Sequence, residues 1–360
     1  MKKLALIVLV AAGCAAPPPA SEEASTSPSR VLAASAALGD SAGATWREAG
    51  GRTGTERRST LLAARVAEAR ALADSGEHSR ASEVYETVYK GAPRSKLAED
   101  ALFLAADEAF RAEEHARSFD LLEKLLTVYP ATTHYAEVVD RVFQIGKAFA
   151  EGTAKRPSWV LGIKKTDEKF GIDILEYFER QHHTSDVNQQ VHLPTQSWDR
   201  HPLAPQALYI IGETHVREDE PELAIESWER IVKEYPGTSW ARVAEYRIAL
   251  AFISLSYGPD YDKRPLLTGV KRLRNYLKKN PTGDNFQEAS QKLKELEESL
   301  ARHDLAIAKR YASSDRYRAA HIYLDAIRRE YPNTDAAKEA EQLSGAWENP
   351  PDPPAPDETK

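Results

Sequence analysis

Apolar residues recur at helical spacing along the middle of the chain, and five such stretches end at a proline. These prolines are Pro93, Pro130, Pro236, Pro281 and Pro332. A small residue stands twelve positions before each proline: Ala81, Ser118, Ala224, Gly269 and Ala320. Large apolar residues follow the small one by four positions (Tyr85, Leu122, Trp228, Leu273 and Leu324) and by seven (Val88, Leu125, Ile231, Tyr276 and Ile327). This spacing predicts amphipathic helices that each end at the same point of a repeating unit.

The upstream half of the unit repeats as well. A second small residue lies twelve positions before the first, at Ala69, Ala106, Gly212 and Ala308. The pattern resembles the tetratricopeptide repeat, a helix pair of about 34 residues with small residues and a closing proline at these places. In that family the small residues lie where the two helices of one unit cross at close range. A generic helical bundle, the alternative, would not place five prolines in one phase.

The interval of 106 residues between Pro130 and Pro236 predicts a further, degenerate unit. Residues 138–150 and 172–181 have the pattern of its two helices, and residues 152–169 and 184–205 are expected to form loops. An insertion around residues 258–262 lengthens the loop of the fifth unit. The sequence therefore predicts an all-α tetratricopeptide-repeat solenoid of about six helix pairs over residues 61–345.

The N-terminus has the layout of a secretory signal. Lys2 and Lys3 are followed by an apolar stretch, by small residues, and then by Cys14, which is the single cysteine of the chain. This arrangement resembles a bacterial lipobox, although Ala11 stands where leucine is usual; the alternative is an ordinary signal peptide with an incidental cysteine. The resemblance implies that residues 1–13 are removed and that Cys14 receives a lipid anchor. Since Ala15, and not aspartate, follows the cysteine, the family rule favours the outer membrane.

Composition separates the ends from the middle. Residues 14–60 are rich in Pro, Ser, Ala, Gly and Thr, and residues 346–360 are rich in Pro and acids, so we expect a disordered tether and a disordered tail. The 360-residue chain is 42% hydrophobic and 29% charged, with a formal net charge of −7. That balance does not suggest an electrostatic nucleic-acid binder, and one cysteine excludes a disulfide-stapled fold.

Catalytic chemistry is not indicated by the sequence. Four of the ten histidines, His182, His183, His192 and His201, fall in one predicted loop, and imidazole is a common zinc and copper ligand. A solvated polar loop is the favoured interpretation, because neighbouring histidines cannot easily face one ion and neither cysteine nor paired carboxylates complete a set. Nucleotide-binding, hydrolase and metalloprotease motifs are absent from the sequence. We therefore expect neither an enzyme nor a cofactor or metal site.

Stacked helical repeats bind partners on their exposed faces. By repeat phase, Gln206, Tyr209, Glu213 and Arg217 are the outward positions of the first helix of the fourth unit. A tyrosine among polar groups suits an extended or helical peptide, although these residues could also be simply solvated. In the last unit Lys309 takes the place of Glu213, so the predicted groove changes sign along its length.

The order of these features resembles the outer-membrane lipoprotein BamD (YfiO) family. The shared features are the lipobox, a short tether, repeats ending in Tyr-Pro, an Asp-containing insertion in the penultimate repeat and the closing segment Leu300–Tyr311 before Ala319 and Ala320. The resemblance covers about residues 61–343 and is most specific from Ala204 onward; the long middle region departs from it. It implies a periplasmic scaffold, lipid-anchored to the outer membrane, that helps a barrel insertase to receive and fold β-barrel proteins.

The same resemblance implies protein partners and no nucleic acid. We expect residues 204–343 to dock the periplasmic domains of the insertase and residues 61–133 to receive unfolded outer-membrane proteins. Another periplasmic tetratricopeptide protein, one that coordinates envelope constriction with cell-wall synthesis, is the alternative. Such relatives usually carry an N-terminal coiled coil and lack a lipobox. A metal-dependent enzyme is a third class and rests only on the histidine loop.

Overall fold

The computed structural model describes residues 53–157, 164–182, 201–256, 262–283 and 285–347. These residues form thirteen α-helices and one two-stranded sheet. The elements are α1 (Thr53–Asp74), α2 (His78–Gly91), α3 (Lys96–Arg111), α4 (His115–Val128), α5 (Tyr135–Ala150), β1 (Lys155–Pro157), β2 (Lys164–Thr166), α6 (Glu168–His182), α7 (Ala204–Arg217), α8 (Pro221–Glu234), α9 (Ser239–Ser254), α10 (Lys263–Lys279), α11 (Phe286–Ala312), α12 (Tyr317–Glu330) and α13 (Asp335–Ala346).

Two compact units divide the described chain, one ending at Thr214 and the other beginning at His215. In the first unit, α1 to α6 pack as successive pairs, each helix against its neighbours in sequence. In the second unit, α8 to α12 pack in the same way, and α13 closes the stack by contacting both α11 and α12. This neighbour-to-neighbour packing within each unit is that of a helical repeat array, so the predicted all-α repeat fold is confirmed.

The small residues lie where the pattern predicts. Both sets of small positions are buried, and Ala69, Ala106, Ala224, Ala308 and Ala320 have no exposed surface. At Gly269 an added Cβ would lie 2.6 Å from Ile253 Cγ1. The tightest crossing is in the degenerate third unit, where a Cβ on Gly171 would lie 2.2 Å from the backbone nitrogen of Ala150. In these two pairs the helices approach so closely that only a small side chain fits at the crossing.

Helices end and begin at equivalent positions of the repeats, where prolines and capping hydrogen bonds fix their termini. In five units the residue before the proline is the C-cap of the second helix, and its N–H donates to the carbonyl four positions back; these C-caps are Ala92, Tyr129, Tyr235, Asn280 and Tyr331. Proline disfavours helical backbone in the residue before it, which fixes these ends. The first helix of the next unit starts at a side-chain cap at Ser95, Thr238 and Thr334, whose hydroxyl accepts from the N–H three residues on.

The first helix begins earlier than the sequence predicts. Residues 53–60 were expected to belong to the disordered tether, but α1 starts at Thr53. Arg58 Nε donates to the carbonyl of Gly91, 3.0 Å away, at the end of α2. This contact satisfies a free carbonyl at a helix C-terminus and holds the added turns of α1 against the first unit.

The predicted loop at residues 152–169 is also partly wrong. β1 pairs with β2 in antiparallel register, Lys155 opposite Thr166, and α6 begins at Glu168 instead of residue 172. The guanidinium of Arg156 lies over the Phe170 ring, 4.4 Å from its centroid, and 3.6 Å from Asp167. These contacts fasten the hairpin to the start of α6.

Within the described ranges, no helix combines the length and apolar character needed to cross a bilayer.

Candidate binding surfaces

Three of the predicted groove residues share one stripe of α7. Gln206, Tyr209 and Glu213 are half-buried, whereas the residues between them on the opposite face are buried in the first unit. Arg217, four residues further on, belongs to the second unit and is exposed. Residues three and four positions apart lie on the same side of a helix, so the predicted placement of Gln206, Tyr209 and Glu213 on one face of α7 agrees with the structure. Their role in binding stays a prediction.

Lys309 of α11 is exposed, but it already forms an ion pair. Its ammonium donates to Glu339 Oε1 on α13, within the second unit. Both side chains remain about half exposed, and such pairs typically contribute less than about 1 kcal/mol. A ligand could therefore displace Glu339 at little cost, and the groove role of Lys309 requires that displacement.

Only part of the histidine loop lies within the described residues. His182 is the last residue of α6, while His183 and His192 lie outside the described ranges, as does Cys14. The ring of His201 is half-buried, edge-on to Phe178 at a centroid distance of 5.3 Å, and its Nδ1 accepts from the N–H of Leu203. Burial lowers the pKa of His201. Packing and capping of α7 account for this histidine without a metal.

A charged cluster on α3 was not anticipated from the sequence. Asp107 is 1% exposed and pairs with Arg141 of α5 and, at 3.0 Å, with Arg111 of its own helix. The guanidinium of Arg141 also lies 4.1 Å from the centroid of the Phe110 ring. The neighbouring carboxylate, Glu108, is 2.7 Å from Nδ1 of His78 on α2. Buried carboxylates need such partners, and these contacts join α3 to α2 through His78 and to α5 through Arg141.

One turn from the start of α3, three groups could offer ligands to a metal ion. One carboxylate oxygen each of Glu99 and Asp100 and a ring nitrogen of His134 all lie within 4.8 Å of one another. His134 Nε2 is 2.7 Å from Asp100 and its ring stacks on Phe103, with centroids 4.3 Å apart. Lys96 Nζ lies 3.1 Å from Glu99 and 3.0 Å from Asp100. A metal ion would have to displace this ammonium, which already pairs with both carboxylates.

The pKa values agree with a charged, paired state. Burial alone would raise the pKa of Asp100, but hydrogen bonds from His134 and Lys96 outweigh it and hold the pKa below its usual value. Burial would also raise the pKa of Glu99. Hydrogen bonds from Thr132, Lys96 and the N–H of Thr133 outweigh burial and lower this pKa. Both carboxylates thus act as ionised acceptors that join α3 to the start of α5.

The second unit exposes a large apolar side chain on α12. Ile322 is 69% exposed, the highest value among the exposed large hydrophobic residues of the described chain. Beside it in sequence, Tyr323 stacks on Tyr311 of α11, with ring centroids 5.7 Å apart. Tyr323 packs against the core of the second unit, so Ile322 is a single exposed apolar side chain, which is a candidate contact point and not by itself a binding surface.

Comparison with known proteins gives a family match over part of the chain. Residues 199–346 match the sequence model of YfiO, a family described as an outer membrane lipoprotein. The predicted resemblance is therefore confirmed for this region, which contains α7 to α13. No curated protein matches the chain.

A solved structure is also similar. It is the C-terminal part of a TPR repeat-containing protein from Cytophaga hutchinsonii, with 12% sequence identity and a TM-score of 0.37. The similarity covers 86% of this chain and 94% of that one.

Proposed function

We propose that the chain, whose residues 199–346 match the YfiO family, is a scaffold of the outer-membrane β-barrel assembly machinery. It is anchored by lipid at Cys14 on the periplasmic face of the outer membrane. There it binds the periplasmic domains of the barrel insertase and receives unfolded outer-membrane proteins. The observation that carries the proposal is the family match, which falls on a stack of helix pairs suited to binding.

The surface that we assign to the insertase is the exposed side of α12 in the second unit. Ile322 is held on a regular helix whose opposite face, with Ala320, Leu324 and Ile327, is fully buried. A large apolar side chain held on a rigid helix can fill a pocket of a partner, and a few such buried anchors carry most of the binding energy of an interface. Seating Ile322 in a pocket of the partner would remove its exposed apolar surface from water.

Binding of the insertase's soluble domains to the full chain tests this proposal. Ile322→Asp places a charge at the centre of the assigned surface and should abolish binding or weaken it at least about tenfold, the equivalent of about 1.4 kcal/mol. Val128→Asp is a matched control, because Val128 is a 42% exposed apolar residue at the end of α4 in the first unit. The control should bind normally. Equal binding by both variants would contradict the assigned surface, and no binding by the unmodified chain would contradict the proposed function.

A further inference from the structure

We propose that the second unit carries another docking surface, a cleft between α8 and α10 that takes an extended acidic segment of a protein partner. Side chains of α8, α9 and α10 form the floor of this cleft, whose volume is about 470 Å³. Ligand-binding pockets in proteins typically have volumes of about 300–1,000 Å³, so this cleft is large enough to hold a side chain of a bound partner. The cleft shares neither a helix nor a residue with the α12 surface, and the inference does not depend on the proposed function.

The floor of the cleft is apolar. Val232 of α8, Ile248 of α9 and Tyr276 of α10 line it. Ile248 and Tyr276 are almost fully buried as repeat-core residues, while Val232 is half-buried. The floor is therefore held in place by the packing of three helices. It offers a preformed seat for one large apolar side chain.

The rim of the cleft combines both signs of charge. Arg272 of α10 bridges to Glu229 of α8, and Lys279 bridges to Glu245 of α9, each at 2.6 Å. Lys233 also lines the rim, and it is exposed and makes no ion pair or hydrogen bond with any described residue. After the two pairs are matched, one positive charge remains at the rim.

α10 extends this positive charge along the cleft. The helix holds seven Lys and Arg residues and no Asp or Glu, in a chain whose formal net charge is −7. Five of the seven pair with carboxylates; among the described residues, Lys271 and Lys278 do not. These two lysines flank Asn275, which lines the cleft, on one face of the helix. Lys233 is therefore the surplus charge on the cleft itself, and Lys271 and Lys278 add positive charge on the helix face beside it.

The mixed rim favours a polypeptide over an anionic lipid surface. Glu229 and Glu245 can accept hydrogen bonds from the backbone N–H groups of an extended chain, whereas phosphate groups are acceptors and offer these carboxylates no donor. Lys233, Lys271 and Lys278 would in turn attract its carboxylates. The occupant is therefore a segment with one large apolar side chain between acidic residues.

The test uses the full chain with labelled valine and isoleucine methyl groups, observed by NMR. The probe is a blocked peptide in which glutamates flank one phenylalanine; the matched peptides carry lysines in place of the glutamates, or serine in place of the phenylalanine. Vesicles of phosphatidylglycerol form a separate arm. The acidic peptide should shift the methyl signals of Val232 and Ile248, and the matched peptides should bind much more weakly.

Charge reversal completes the test. Lys233→Glu should weaken binding of the acidic peptide by about fivefold or more. Lys294→Glu, the same change at an exposed lysine of α11, should leave that binding unchanged. Ile322→Asp should also leave peptide binding unchanged, which separates this surface from the proposed function. The inference is overturned if the methyl signals do not respond, if the lysine peptide binds equally, if both charge reversals act alike, or if only vesicles shift the signals.

Discussion

Gly171 is the position at which the repeat packing can be tested most severely. A Cβ atom there would lie 2.2 Å from the backbone nitrogen of Ala150 and 2.7 Å from its Cα. Ordinary contact for such an atom begins at 3.4 Å, so Gly171→Ala requires α5 and α6 to separate by about 1.2 Å. Because the atoms approached belong to the main chain, no side-chain rotation can relieve the clash.

The magnitude follows from two opposing effects. Overpacking of a tight contact typically costs about 1–3 kcal/mol, and the upper part of that range applies where backbone must move. Alanine regains up to about 1 kcal/mol of helix propensity relative to glycine. We therefore expect Gly171→Ala to lower the free energy of unfolding by about 2 kcal/mol.

Gly345→Ala is the matched control, because a Cβ on Gly345 of α13 would meet no atom within 4 Å. This variant should be neutral or more stable by up to about 1 kcal/mol. Urea unfolding followed by circular dichroism measures both variants, and hydrogen exchange in α5 and α6 locates the loss. Unchanged stability of Gly171→Ala, or a loss no greater than that of Gly345→Ala, would refute the packing of the third unit.

Four further predictions test other parts of the molecule. Ala224→Leu and Ala320→Leu should each lower stability in thermal melts by about 1–3 kcal/mol, because both alanines are fully buried at helix crossings. Asp315→Gly should raise stability by about 0.5 kcal/mol, because Asp315 has a left-handed φ of 57° between α11 and α12. The pKa of Asp100 is lowered on folding, since hydrogen bonds outweigh burial, so its contribution to stability is complete above about pH 4 and is lost as pH falls; acid titration of Asp100→Asn should show less of this loss. Cys14→Ala should release the protein from the membrane fraction or leave it as precursor, whereas unchanged detergent-requiring association would contradict lipidation.

The repeat pattern predicted the fold because its small positions have a direct physical meaning. The third unit looked degenerate in sequence, yet its Gly171 marks the closest helix approach among the described glycines. The start of α1 was missed because residues 53–60 are mostly polar and their helix depends on a contact with Gly91, 33 residues away from Arg58. Three-residue strands such as β1 are too short to show an alternating pattern.

The charged cluster on α3 shows what a pattern within one helix cannot reveal. The sequence did not single out Asp100 or Asp107, because charged residues on a helix usually lie on a solvated face. Their partners, His134 and Arg141, each stand 34 residues further along, which is one repeat length. A search for an acidic residue and a basic residue at equivalent positions of successive repeats would have predicted these pairs.

The measurement that tests the central claim most directly is crosslinking in intact cells. A photoreactive amino acid is placed at position 322, with a second protein carrying it at position 128 as the control, and crosslinked partners are identified by mass spectrometry. We predict that position 322, and not position 128, crosslinks to the periplasmic domains of the barrel insertase. Absence of the insertase from both samples, or its capture only from position 128, would contradict the scaffold function that we propose for this chain.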